Sequence, residues 1–311
     1  MTATSSETGS ILLSLSNNLA DAVAQAGGAT VTVNGRQRHP SSGVHWRPGV
    51  IVTADHTVER DDDLTVTLPD GTSVAATLAG RDPSTDIAIL KIEGANVPAA
   101  MVGDNAALKV GHMALAVGRL PEGGLATSLG VVSALGGAWN TWRGGQVDQF
   151  LRADVTLYPG FSGGPLVNAA GEIVGINTSG LSRNMGLTVP ASTVNRVVDQ
   201  LMTKGRIARG YLGVGLQPIR LPDTLKSALG VANEAGVIVI SVESGGPAEK
   251  AGLLIGDILV TLDGTPVTDT DAVQARLGPD RIGTAVAAKV GRGGAPVDVQ
   301  ITVGERPQRE G

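Results

Sequence analysis

Apolar residues recur along positions 12–26 at steps of three and four: Leu12, Leu15, Leu19, Val23 and Ala26. That spacing puts them on one face of a helix, with Gly27-Gly28 as its expected stop. From Thr30 the period shortens. Val31 and Val33, then 50–53, 64–68, 74–78, 87–92 and 113–117, are short β-type runs separated by turn signals such as Asn34-Gly35 and Pro69-Asp70-Gly71. A second series covers 128–134, 148–157, 165–167, 173–178 and 185–189. Two β-halves of similar size follow, as a barrel or sandwich rather than βαβ units. Residues 190–202 read as a closing helix, with Val194, Val197, Val198 and Leu201 on its stripe and Ser192 as its cap.

Beyond a basic, polar link the pattern changes. Strands are expected over 211–216, 237–242, 258–262, 285–290 and 297–303, with helices over 248–251 and 271–277. That is an α+β module of about a hundred residues, a common domain size. The expected organisation is a flexible start (1–10), a β-rich domain (11–203), a link (204–209), an α+β domain (210–305) and a polar tail (306–311).

Of the 311 residues, 42% are hydrophobic and 17% charged, which suits packed cores and excludes wholesale disorder. The net charge is −5, no basic run stands out and aromatics are 2%, so nucleic acid is not an expected partner. Cysteine is absent, which rules out disulfides and thiolate metal sites. No P-loop lysine motif and no His-Glu-x-x-His occurs, so no cofactor or metal is implied. Residues 1–10 lack the positive charge of a signal peptide, and 11–15 is too short an apolar run to span a membrane. As written, the chain reads as soluble and cytoplasmic.

The richest chemistry lies in Gly160-Phe161-Ser162-Gly163-Gly164-Pro165, between two β-prone runs. Glycines let amide groups approach a substrate, and a serine among them suits acyl transfer. Gly and Ser are also common turn residues, so the stretch alone does not decide. A serine hydroxyl needs a base. His56 ends an apolar run, in Thr53-Ala54-Asp55-His56, where a side chain can emerge from a barrel rim; His39, His45 and His112 sit in turn-rich stretches and read as structural. Asp86 leads directly into the apolar strand Ile87-Ala88-Ile89-Leu90, where an acid can be partly buried against an imidazole.

These three segments, in the order His56, Asp86, Ser162, resemble the catalytic segments of trypsin-like serine proteases. More narrowly, Gly80-Arg81-Asp82-Pro83-Ser84-Thr85-Asp86, Gly130-Val131-Val132-Ser133-Ala134-Leu135-Gly136 and Arg209-Gly210-Tyr211-Leu212-Gly213-Val214 resemble the HtrA/Deg family, over about Leu12 to Pro307. The resemblance implies a mainly β fold, a trypsin-like double β-barrel followed by a small α+β PDZ domain. It implies that Ser162 attacks, His56 is general base and acid, and Asp86 orients His56. The amides of Gly160 and Ser162 would form the oxyanion hole. Thr178 would support the acid, and Thr178, Ser179 and Gly180 would pair with an extended substrate. Tyr211, Leu212, Gly213 and Val214 would receive a peptide's C-terminal carboxylate, with Val273 and Leu277 either lining that groove or serving as core.

The implied activity is a serine endopeptidase acting on unfolded or misfolded proteins in protein quality control. The alternative is a catalytically weak or inactive protease fold that binds peptides as a chaperone does. A homotrimer and a cell-envelope location are further expectations from the family. The resemblance to trypsin-like enzymes puts Thr156, six residues before the nucleophile, at the floor of the primary specificity pocket; it carries no charge, so small or medium apolar side chains, as in the HtrA family, are expected before the cleaved bond. The family usually has Asn before the nucleophile, whereas this chain has Phe161, so the oxyanion loop is expected to be ordered by apolar packing and only partly formed at rest. Trp139 and Trp142, in a Gly-rich loop, read as partner contacts or as rings packed on their own domain.

Overall fold

The computed structural model describes residues 4–94, 97–120, 124–141, 143–182, 185–205 and 207–307. The chain divides into two units, Met1–Ile207 and Ala208–Gly311.

The first unit opens with α1 (Thr4–Ala29), so residues 4–10, expected to be flexible, are helical, and the helix runs through Gly27-Gly28. The reason is packing. A Cβ on Gly27 would lie 2.6 Å from the Leu125 side chain. The helix end is held by one cation: the Arg119 guanidinium donates to Gly27 O at 3.1 Å and, just past the helix, to Thr30 O at 2.7 Å. A glycine pair does not end a helix whose bare face is occupied and whose end is capped.

Six strands then close a barrel: β1 (Thr30–Asn34), β2 (Ser41–Arg47), β3 (Val50–Ala54), β4 (Leu64–Thr67), β5 (Ser73–Asp82) and β6 (Ile87–Ile92), in the order β1-β2-β3-β6-β5-β4. β2 occupies the stretch read as turn-rich. Six of its seven residues are buried, on both faces, so the alternation that marks a half-buried strand is erased. Its His45 is a core histidine: Gly49 N donates to Nε2 at 3.1 Å and Nδ1 meets Pro98 O at 3.1 Å.

The second sheet contains β7 (Met113–Arg119), β8 (Leu125–Leu135), β11 (Leu151–Ala153), β12 (Pro165–Asn168), β13 (Ile173–Thr178) and β14 (Leu187–Pro190). Its order is β11-β8-β7-β12-β13-β14, and the two end strands lie against each other, so the sheet curls into a second barrel. A small hairpin, β9 (Trp139–Asn140) with β10 (Gln146–Val147), projects from it. Trp139 packs edge-on against Phe150 with centroids 5.8 Å apart, the own-domain reading of that ring; Trp142 lies outside the described residues. The strand expected over 148–157 is only β11, because the segment beyond it bends toward Ser162. α2 (Ala191–Lys204) closes the unit. Pro190, not Ser192, is its N-cap, and Gly205 ends it at φ +69°.

The second unit holds β15 (Gly210–Tyr211), β16 (Val214–Arg220), α3 (Asp223–Leu229), β17 (Ala235–Val242), α4 (Pro247–Lys250), β18 (Ile258–Leu262), β19 (Thr265–Pro266), α5 (Thr270–Gln274), β20 (Ala285–Arg292), β21 (Ala295–Thr302) and β22 (Gly304–Glu305). Its main sheet runs β16-β17-β18-β20-β21, which leaves β16 on an edge beside α5. The sequence pattern missed α3, which is only two turns long. Val273 is 2% exposed and belongs to the core, and α5 stops before Leu277.

Candidate active site

Strand register brings His56 and Asp86 together. Ala54 at the end of β3 pairs with Ile87 at the start of β6. The residues just beyond that pair, His56 in a 3₁₀ turn (Asp55–Thr57) and Asp86, therefore meet at the same barrel rim, and Asp55 N donates to Asp86 O at 3.1 Å. Asp86 is 1% exposed and adopts φ +58°, a left-handed conformation that Asp tolerates better than bulkier residues. Its carboxylate is fully engaged. Oδ1 accepts from His56 N at 2.9 Å, and Oδ2 accepts from His56 Nδ1 at 2.7 Å and from the Thr178 hydroxyl. Thr178 is itself held by Gly180 N at 2.8 Å. A carboxylate only accepts, so Nδ1 carries a proton and Nε2 of neutral His56 is left as an acceptor. Gly180 must be bare: a Cβ there would lie 2.6 Å from Asp86 Oδ2 and 2.7 Å from His56 Nδ1.

Two successive turns shape the segment around Ser162. Phe161 N donates to Tyr158 O at 2.9 Å with Gly160 at φ +92°, which makes Tyr158-Pro159-Gly160-Phe161 a type II turn. Pro159 and Gly160 occupy the positions where that turn favours Pro and needs Gly. Gly164 N donates to Phe161 O at 2.9 Å across a second turn that contains Ser162. Ser162 O accepts from Ser42 N at 3.2 Å, and Gly163 N donates to Asn177 O at 2.8 Å. Among the described residues, neither Gly160 N nor Ser162 N donates to a protein group.

Phe161 is fully buried. Its ring stacks edge-on with Tyr158 at 5.3 Å, within a cluster containing Ala114, Ala116 and Leu166. Gly118 makes room, since a Cβ there would sit 2.7 Å from the ring. The expected apolar packing of this loop is present.

The site departs from expectation at one contact. Ser162 Oγ lies 3.2 Å from Ser179 Oγ, and Ser179 Oγ lies 3.4 Å from His56 Nε2. Ser162 Oγ reaches His56 Nε2 through Ser179, not directly.

In the second unit, Gly213 at φ +77° turns the chain into the edge strand β16. Leu212 O and Gly213 O are tied to Ala248 N and Glu243 N, each at 2.8 Å. Leu212 is 3% exposed and anchors the loop in the core. Tyr211 and Val214 are partly buried beside it.

Residues 41–176 match the trypsin-like peptidase domain family, and residues 210–303 match the PDZ domain family. The solved HtrA-type protease AlgW with decapeptide is 30% identical, has a TM-score of 0.74, and is matched over 93% of this chain and 99% of that one. The chain belongs to the HtrA/Deg family of serine proteases. The serine endoprotease from Yersinia pestis is likewise similar, at 30% identity and TM-score 0.74, over 93% of this chain and 98% of that one. A probable periplasmic serine endoprotease, DegP-like, of Chlamydia pneumoniae is 36% identical over 269 residues, 85% of this chain and 54% of the relative. Its counterpart in Brucella suis is 37% identical over 271 residues, 85% and 52% respectively. The chain thus spans about half the length of these curated relatives.

Two features of this HtrA chain escaped the sequence reading. Ser42 on β2 braces the first turn: its Oγ donates to Gly160 O at 2.7 Å and accepts from Arg119 N at 2.9 Å. A period-2 signal would have marked β2, but its double-sided burial removed that signal. The other is a cavity of about 440 Å³ at the seam between β11 and β14, lined by Val155, Leu157, Met185, Gly186 and Thr188 among others, with Arg152 and Asp154 at its charged side. Thr156, expected at a pocket floor, is not among its lining residues. No helix among the described residues is long and apolar enough to cross a membrane.

Proposed function

We propose that this chain is a serine endopeptidase that hydrolyses peptide bonds in unfolded or exposed polypeptide segments. The observation that carries the reading is the continuous hydrogen-bonded chain Gly180–Thr178–Asp86–His56, set beside Ser162 and two unengaged amides. Ser162 Oγ attacks the carbonyl carbon, and its proton passes to His56 Nε2. Asp86 holds the tautomer that leaves Nε2 free and stabilises the imidazolium. The amides of Gly160 and Ser162 receive the oxygen as it becomes negative, where one such donor contributes about 3 kcal/mol. His56 then protonates the leaving amine.

An extended substrate pairs with Thr178, Ser179 and Gly180, and its side chain before the cleaved bond meets Leu157 and Met185. That favours small or medium apolar residues over Arg or Lys. The edge strand β16, with the loop Tyr211 to Val214, takes a peptide C-terminus by strand addition. The solved relatives carrying a decapeptide and a tripeptide support peptide binding. The relatives' periplasmic names favour a cell-envelope location over the cytoplasm, and we include the homotrimer as part of the family reading.

The test is cleavage of denatured casein by the wild type and by Ser162→Ala. Cleavage abolished in the variant supports the reading. Absence of cleavage by the wild type favours the peptide-binding alternative, for which the indirect Ser162–His56 contact is the specific observation.

A further inference from the structure

We propose that Ser179 is a positioning residue that holds the nucleophile off its base at rest, and that a paired substrate strand releases it. The proposal rests on the protease reading above. With Nδ1–H of His56 committed to Asp86, Nε2 accepts, and the donor that reaches it is the Ser179 hydroxyl at 3.4 Å. Ser179 has then spent its one proton, so at its 3.2 Å contact with Ser162 it accepts, and the Ser162 proton points at Ser179. The nucleophile's proton is thereby directed away from the nitrogen that must take it.

Magnitude decides between two uses of this arrangement. A proton relay through Ser179 needs short bonds, yet both contacts are well beyond the usual 2.7–2.8 Å of hydroxyl bonds. Long, weak bonds suit a hold that a ligand can break. Ser179 is also exposed, while its neighbour Thr178 is 1% exposed and fixed on Asp86. The segment Thr178–Gly180 is the one along which an extended substrate is proposed to lie, so pairing there acts directly on Ser179. A small reagent that enters the site without pairing leaves the hold in place.

The experiment compares the full chain with Ser179→Ala and Ser179→Thr, using Ser162→Ala as blank. Labelling by a small alkyl fluorophosphonate is followed from pH 5 to 9, alongside cleavage of an extended peptide. Ser179→Ala is expected to label faster by roughly two- to tenfold, the worth of one ordinary hydrogen bond. The gain on the extended peptide is expected to be much smaller, and Ser179→Thr, which keeps the hydroxyl, should keep the slow rate. Labelling of Ser179→Ala alone also supports the hold. Equal rates overturn it, as do equal gains on both substrates. Slower labelling of Ser179→Ala overturns it in favour of a relay. No labelling of either protein overturns both the hold and the protease reading.

Discussion

Asp55 sits one residue before His56, 6% exposed, with Arg81 Nε 3.6 Å from its Oδ1 and, among the described residues, no hydrogen bond to that oxygen. Burial pushes its carboxyl up to about 6; Arg81 opposes that, and the nearby charges of Asp86 and Asp82 add to it. A carboxyl raised from 3.8 binds its proton more tightly folded than unfolded, so its contribution is fully present below about pH 4 and is lost as pH rises through 6. Above pH 6 the buried charge costs about 3 kcal/mol at most, from a shift of roughly two pH units. Asp55→Asn should therefore be more stable than the wild type at pH 8, by up to that amount, and equal to it near pH 4. Urea midpoints measured across that range check this, and a gap that does not vary with pH would refute it. At the same scale the meeting of His56 and Asp86 was legible in the sequence, because a His and an Asp at the ends of apolar runs emerge at a rim. Ser179 was placed in the substrate strand, but its contact with both Ser162 and His56 depends on a side-chain direction that no spacing encodes.

Among the elements, the Pro159–Gly160 turn bears most directly on rate under the proposed mechanism. Its Gly160 amide belongs to the central peptide of a type II turn, whose orientation depends on φ > 0 at that residue. An alanine there costs about 1–2 kcal/mol of backbone strain. Relief of that strain turns the amide away, and losing one oxyanion donor lowers kcat by roughly a hundredfold or more. Gly160→Ala should lose turnover on this scale while binding peptides unchanged at the second unit, as steady-state kinetics and calorimetry can show; retained kcat would mean that this amide is not used. The sequence announced this turn through Pro-Gly but hid its brace. Ser42 lies 118 residues from Gly160 along the chain, and only the pairing of whole strands brings them together.

Across the whole molecule, the two units were visible because the hydrophobic period changes at the link near residue 207. What the pattern could not supply was register, which sets the His56–Asp86 meeting point, or the fate of elements buried on both faces. For the second unit, the edge position of β16 predicts that an apolar peptide with a free C-terminal carboxylate binds at least tenfold more tightly than its amide, the scale of one charge-assisted contact to backbone donors. Calorimetric titration of both peptides tests this, and equal affinity would argue against carboxylate capture at Tyr211 to Val214.

Arg119 joins two places that are otherwise far apart in the chain. Its guanidinium caps the end of α1, and its amide supports Ser42, which supports Gly160. Fraying of the last helical turn and loosening of the Gly160 turn are therefore expected to be coupled. Their amide protons are expected to exchange in one cooperative opening, with the chain's first helix and the Gly160 turn kept or lost together.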